Sequence, residues 1–212
     1  MLNADVDAIG GLLVLREAAT FRVFAPRPIL DVLHANPVFD VLDPSLVERV
    51  EVPVRQAVDC GNGLSVTWLP MPGKIPLYLE DRAAAQPTPG PTYAALIQDG
   101  DRRLMVAPGC ADLTPSVQQT LRQADVVFFD GTVFTDDEML VAGVGHKTGR
   151  RMGHVAMSGP EGSLARLADL PARRIFIHLN NTNPVLIEDS PERRAVEAAG
   201  WEIAYDGMEV EI

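Results

Sequence analysis

Two short stretches constrain this 212-residue chain more than any other feature: "DVVFFDGT" (residues 125–132) and "RRIFIHLNN" (residues 173–181). Each is a continuous run of β-branched and aromatic residues with no alternating polar position to turn toward water. As strands, both must therefore be covered on both faces. The cover has to be helical, and the helices can be read directly. "LTPSVQQTLRQA" places Thr114 as N-cap and Pro115 at the first helical position, and "SPERRAVEAAG" places Ser190 as N-cap, Pro191 first and Gly200 as the stop.

Other segments are consistent with this frame. "FRVFA" (21–25) reads as a strand, and "PRPILDVLHAN" (26–36) as a helix with prolines in its first turn. "LSVTWLPM" (64–71) alternates as a half-buried strand does, and "TYAALIQDGDRRLMVAP" (92–108) reads as a hairpin around Asp99-Gly100-Asp101. "AQPTPGP" (85–91) has the composition of a loop. At the start, Ile9, Leu12, Leu13, Leu15 and Ala19 recur near a helical period, and at the end "WEIAYDGMEVEI" predicts a hairpin around Asp206-Gly207. Some strands join through tight turns and others through helices, so the fold class is α/β with a mixed sheet or two sheets in one domain spanning 1–212.

Charge narrows the partners. The net charge is −11, and the densest basic stretch, Lys147 to Arg151, holds three cations. Nucleic acid and anionic membrane both call for clustered Lys and Arg, so neither is expected. No apolar run approaches the roughly 18 residues of a membrane span, and the expected location is cytoplasmic. Cys60 and Cys110 lack CxxC spacing, which argues against a zinc knuckle; Cys110 in "APGC" reads as a small buried hydrophobe.

Polar groups gather at the ends of the apolar runs. Asn3, Asp5 and Asp7 precede the first helix, Asp130-Gly131-Thr132 closes one buried run, His154 follows a glycine, and His178 closes the other buried run. Open α/β folds place sites at the carboxyl ends of strands, and carboxylates with imidazoles suit Fe(II), Mn(II) or Zn(II). Bland readings stand beside these. Asp5 and Asp7 also read as a solvated helix start, Asp130 as a turn residue, and His178 as a hydrogen-bonded core histidine. His34 and His146 read as surface residues.

Taken together and in order, "DVDAIGGLLVLREA", "PMPGKIPLYLED", "APGCA", "ADVVFFDGTVFTDDEM", "GVGHKTGRRMGH", "RRIFIHLNNTNPVLIEDSPER" and "AAGWEIAYDGMEVEI" resemble the coenzyme PQQ synthesis protein B family along the whole chain. The resemblance implies a metallo-β-lactamase-like αββα sandwich and a place in pyrroloquinoline quinone (PQQ) biosynthesis. Two activities follow from it: oxygen-dependent hydroxylation of the tyrosine-derived ring of a precursor at a mononuclear Fe(II) site, or non-catalytic carriage of PQQ or its precursor toward the periplasm. The superfamily's first metal motif falls on Asn3–Ala8, so Asp5 and Asp7 match the family pattern while Ala8 stands where it has histidine. His178 matches the final metal-motif histidine, His154 a cleft-lining histidine, and the superfamily's bridging aspartate falls near Cys110.

The resemblance therefore implies Asp5, Asp7 and His178 as metal ligands, with His154 and Asp130 as catalytic groups. Fe(II) is the expected metal and Zn(II) a possible one. Lys147, Arg150 and Arg151 are expected to bind the carboxylates of PQQ or its precursor, and Asn180, Asn181 and Asn183 to hold the loop around His178. The superfamily's histidine-rich two-zinc set is largely absent, which disfavours a hydrolase. The family also carries an N-terminal stretch with a structural-zinc "CxCxxC" segment that this sequence lacks. The expectation is of an incomplete first sheet, marginal stability or homodimerisation, and contacts with other PQQ-biosynthesis proteins.

Overall fold

A computed structural model describes residues 1–17, 20–76, 79 and 92–212. Seven strands form the main sheet: β3 (Ala57–Gly61), β4 (Leu64–Met71), β5 (Thr92–Asp99), β6 (Arg102–Ala107), β7 (Val126–Asp130), β8 (Arg173–Ile177) and β9 (Glu202–Ile203), adjacent in that order. The first four pair antiparallel, β3 with β4 and β5 with β6 through tight turns, and β6 to β9 pair parallel. The parallel half contains the two apolar runs, as their lack of alternation requires. The crossover after β6 uses α3 (Pro115–Leu121), and the one before β9 uses α7 (Pro191–Ala198).

Helix boundaries follow local chemistry. The Thr114 side chain accepts from Val117 N, and that of Ser190 from Arg193 N, each satisfying a backbone donor the helix cannot pair itself. Both helices pack Val117, Leu121 and Val196 against Val127, Phe129 and Phe176 of the sheet, with Trp201 stacked on Phe176 at 4.0 Å. The opposite face of the antiparallel half carries a second core. Trp68 and Tyr93 meet Val23 and Ala25 of β1 (Phe21–Ala25), Val47 of β2 (Val47–Glu51), and Ile29, Leu30 and Leu33 of α2 (Arg27–His34). The period-two alternation of β5 assigns Tyr93 to this core and Ala94 to the other. Strands β1 and β2 form a small parallel sheet, giving the helix–sheet–sheet–helix layering of a sandwich. Met1 and Leu2 join the two sheets: the terminal ammonium donates to Phe24 O, and Tyr93 N donates to Leu2 O.

Two expectations change. The opening helix is four residues, α1 (Val6–Ile9), and continues as a 3-10 helix over Gly10–Glu17. Gly10 and Gly11 follow Ile9 directly, and two adjacent glycines cost helix stability of about 1 kcal/mol each. The expected helical position Ala19 and the loop 85–91 lie outside the described residues. At the other end, the hairpin is absent. Met208 N closes a turn onto Tyr205 O, but Glu202–Ile203 pair only with β8, and residues 208–212 form no strand. Glu209 and Glu211 leave the tail little apolar surface to bury as a strand beside β9.

Among the described residues, no helix is long and apolar enough to cross a membrane.

Candidate metal centre

Two parallel strands and the end of one helix bring three titratable side chains together. Asp130 is the last residue of β7 and is fully buried. His178 follows the last residue of β8 at φ +58°, a left-handed conformation that a non-glycine residue adopts only when its surroundings enforce it. His154 follows Gly153, the C-cap of α5 (Gly149–Met152), whose φ is +89°. The two imidazoles stack at 5.3 Å between centroids. Asp130, His154 and His178 each present a donor atom within 4.8 Å of the other two.

One carboxylate organises this group. Asp130 Oδ2 accepts from Cys110 N at 2.9 Å and lies 2.8 Å from His154 Nδ1. Its Oδ1 accepts from Thr132 N at 3.1 Å and from Thr132 Oγ1 at 2.6 Å. Every lone-pair direction of a fully buried anion is thereby engaged, as its burial requires. Asp130 is therefore not a turn residue. The carboxylate beside the histidines comes from β7, and Cys110 contributes its amide to it. The Cys110 thiol itself donates to Asp112 O, and burial together with the Asp130 charge pushes its pKa up to about 12. For His154, burial disfavours the imidazolium, but the charge and hydrogen bond of Asp130 outweigh it and leave the pKa raised.

From the far end of the chain, Asp7 brings Oδ2 to 3.0 Å from His178 Nε2. Asp5 occupies the N-cap position of α1, where an aspartate ordinarily bonds the helix amides, yet its side chain makes no such bond. Its carboxyl pKa is raised, by burial first, with the Lys74 charge opposing; Asp7, His154 and His178 are the other charges it feels. Asp5 thus faces the cleft, not solvent. Lys74 was not singled out from the sequence. A Cβ on Gly153 would meet Lys74 Cγ at 2.8 Å, so the lysine stem lies across Gly153 beside His154, and only glycine permits that approach.

The asparagine loop divides its labour. Asn183 is buried; its Nδ2 donates to Gly131 O at 2.9 Å while its Oδ1 accepts from Val185 N, tying the His178 loop to the Asp130 loop. Asn180 donates to Thr182 Oγ1, which donates to the buried Glu138 at the start of α4 (Glu138–Val141). Asn181 is exposed. Gly131 lets the two loops touch: a Cβ there would lie 2.8–3.0 Å from Met157, Leu179 and Phe176. Of the three cations expected to bind carboxylates, Arg150 lines a cleft of about 430 Å³ together with Thr135, Asp136 and His154. Lys147 is half-buried, Arg151 is exposed, and neither lines that cleft. His34 and His146 are exposed, as expected.

The donor set fits a borderline divalent ion. His178 Nε2 and Asp7 Oδ2 lie 3.0 Å apart, close enough for one ion to take both. Nitrogen and carboxylate donors are those that Zn(II) and Fe(II) share. Ala8 carries a methyl group on the exposed side of α1 and supplies no donor.

Known proteins agree with this picture. A family model described as beta-lactamase superfamily domain matches residues 1–179. Coenzyme PQQ synthesis protein B of Methylobacterium nodulans is 52% identical over 98% of this chain and 70% of its own length. The protein of that name from Gluconacetobacter diazotrophicus is 47% identical over 99% of this chain and 71% of its own. Among solved structures, Zn(2+)-bound PqqB from Methylobacterium extorquens superposes with a TM-score of 0.94 at 46% identity, covering 100% of this chain and 71% of that one. The metallo-beta-lactamase fold protein YhfI from Bacillus subtilis, 14% identical with a TM-score of 0.62 over 96% of this chain and 71% of its own, shares the fold alone.

Proposed function

The chain belongs to the coenzyme PQQ synthesis protein B family, and on that premise we propose that it hydroxylates the tyrosine-derived ring of a PQQ precursor at a mononuclear iron site. The observation that carries this reading is the gathering of Asp130, His154 and His178 at one sheet edge, with Asp7 against His178. Imidazole nitrogen and carboxylate oxygen donors with open positions suit an Fe(II) ion that activates dioxygen.

Iron bound there would supply the one-electron and dioxygen chemistry that side chains lack. Asp7 and His178 would hold it, with Asp5 as a further oxygen donor nearby, and Asp130 fixes His154. With its pKa raised, His154 is suited to give a proton beside the reacting ring. Arg150 faces the adjoining cleft and can anchor a substrate carboxylate there by paired N–H donors. Each ring C–H converted to C–OH consumes one dioxygen and two electrons from a reductant, the second oxygen atom leaving as water.

The test is an anaerobic thermal melt with and without Fe(II), followed by oxygen uptake with the cross-linked Glu-Tyr precursor. Iron must raise the midpoint, and uptake must depend on both iron and precursor. A cooperative melt indifferent to iron would defeat the hydroxylase reading. A second reading has one observation in its favour: Ala8 leaves the site a donor short of the family pattern. On that reading the same cleft carries PQQ or its precursor without chemistry, and the ligand binds equally well to the metal-free protein.

A further inference from the structure

The hydroxyl of Thr132 is shared by three groups. Its Oγ1 lies 2.6 Å from Asp130 Oδ1, 2.8 Å from His178 Nδ1 and 3.0 Å from His154 Nδ1. A hydroxyl has one proton to give and two lone pairs to receive with. The shortest contact is the one to an anion, where an O–H donor gains most, so the proton goes to Asp130 and Oγ1 faces both rings as an acceptor.

The consequence for His178 is direct. To bond a lone pair on Thr132, its Nδ1 must carry hydrogen. The Nε2 atom then presents the ring's lone pair outward, toward Asp7 Oδ2. A nitrogen lone pair 3.0 Å from a carboxylate oxygen is repulsive unless a cation sits between them, either a metal ion or a proton. For His154 the same tautomer is fixed by Asp130 Oδ2, which can only accept.

We infer that Thr132 is a positioning residue, whose hydroxyl fixes His178 as its Nδ1–H tautomer and so aims the Nε2 lone pair at the metal position shared with Asp7. Thr132 does not touch the metal in this assignment. It acts through His178, in the way an outer partner sets the tautomer and orientation of a ligating imidazole. The inference rests on the metal-centre reading for its purpose, but the tautomer itself is a property of the metal-free chain.

That distinction shapes the experiment. Long-range ¹H–¹⁵N spectra of the metal-free, ¹⁵N-histidine-labelled protein report which nitrogen of each ring bears hydrogen, with His178→Gln assigning the signals. The wild type is expected to show hydrogen on His178 Nδ1; a neutral His178 ring bearing hydrogen on Nε2 alone would overturn the proposal without recourse to any Thr132 variant. Thr132→Val, which keeps shape and loses the hydroxyl, is expected to shift His178 toward the Nε2–H form. It should also weaken Co(II) binding, measured by chelator competition, by about 10–100-fold. Thr132→Ser keeps the hydroxyl and should restore both readouts to near wild type. A folded Thr132→Val protein with unchanged ring signals and Co(II) affinity would overturn the assignment, as would a Ser variant no better than Val. Wild type that binds no Co(II) would instead sink the metal reading, while its ring signals still decide the tautomer.

Discussion

His178 and Asp7, 171 residues apart in the chain, bring Nε2 and Oδ2 to 3.0 Å of each other. The His178 side chain is 31% exposed and that of Asp7 65%, so this pair is the solvent-facing end of a system whose inner end, Asp130, is sealed. As an exposed ion pair alone it would add little to stability. As two ligands of one ion it becomes the point where metal binding is felt.

Removing either side chain should therefore matter far more to metal affinity than to folding. In Zn(II) titrations, His178→Ala is expected to lose more than the roughly 10–100-fold typical of an outer partner. At saturating metal the wild-type melt should rise, since binding to the native state alone stabilises by about 2.7 kcal/mol at a hundred times Kd. The metal-free melts of wild type, His178→Ala and Asp7→Asn should nearly coincide. A Zn(II) shift that survives His178→Ala would place the ion elsewhere.

Ala8 gives a gain-of-function prediction. It lies on α1 next to Asp7, where the family pattern has histidine. Ala8→His should tighten Fe(II) binding at least about tenfold by adding an imidazole donor, and should raise iron-dependent oxygen uptake if the hydroxylase reading holds. The position is exposed, so stability should hardly change. Unaltered affinity with intact folding would show that the helix does not aim residue 8 at the metal.

Much of this architecture was legible because each decisive segment announces itself locally. The two apolar runs had no face to show water, so they became β7 and β8 in the parallel half; Thr114 and Ser190 capped the helices they precede. His178, Asp130 and His154 were recognisable as polar residues at strand or helix ends. Their gathering at the carboxyl ends of the strands was legible, but their pairing was not, because nothing local encodes that Asp130 reaches His154 across 24 residues. Thr132 stood among those polar groups without a role of its own, although "DGT" contains the signal: a hydroxyl two residues after a strand-end aspartate bonds back to it. Lys74 gave no signal, since its role depends on Gly153 lying beneath it. The terminal hairpin failed because Asp206-Gly207 specifies a turn and not a partner strand.

Asn183 tests the connection between the two strand-end loops. Its amide donates to Gly131 O and its Oδ1 receives Val185 N, all in a buried setting. Asn183→Ala leaves both groups unpaired and should destabilise by about 1–3 kcal/mol, read by urea unfolding. Asn183→Asp keeps the acceptor for Val185 but turns an acceptor toward Gly131 O, so it should be no better. Metal affinity should fall in parallel, because the loop carries His178. A stable Asn183→Ala with loosened metal binding would separate the loop's positioning from its folding role.

The cysteines offer a test with a defined pH dependence. Cys60 is exposed on β3 and should react with iodoacetamide at pH 8 within minutes, whereas Cys110, buried with its thiol pKa pushed up to about 12, should stay unmodified until the chain unfolds. The sign of the stability effect follows from the same shift. Between the unfolded value near 9.0 and the folded value near 12, the native state holds the thiol proton and the unfolded state has released it. Stability is therefore complete below about pH 9 and declines as pH rises toward 12. Cys110→Ala should flatten that alkaline slope, at the expense of a smaller packed side chain. An alkaline slope unchanged in Cys110→Ala, or rapid alkylation of native Cys110, would show that the Asp130 carboxylate and the apolar wall around the thiol do not hold its proton in place.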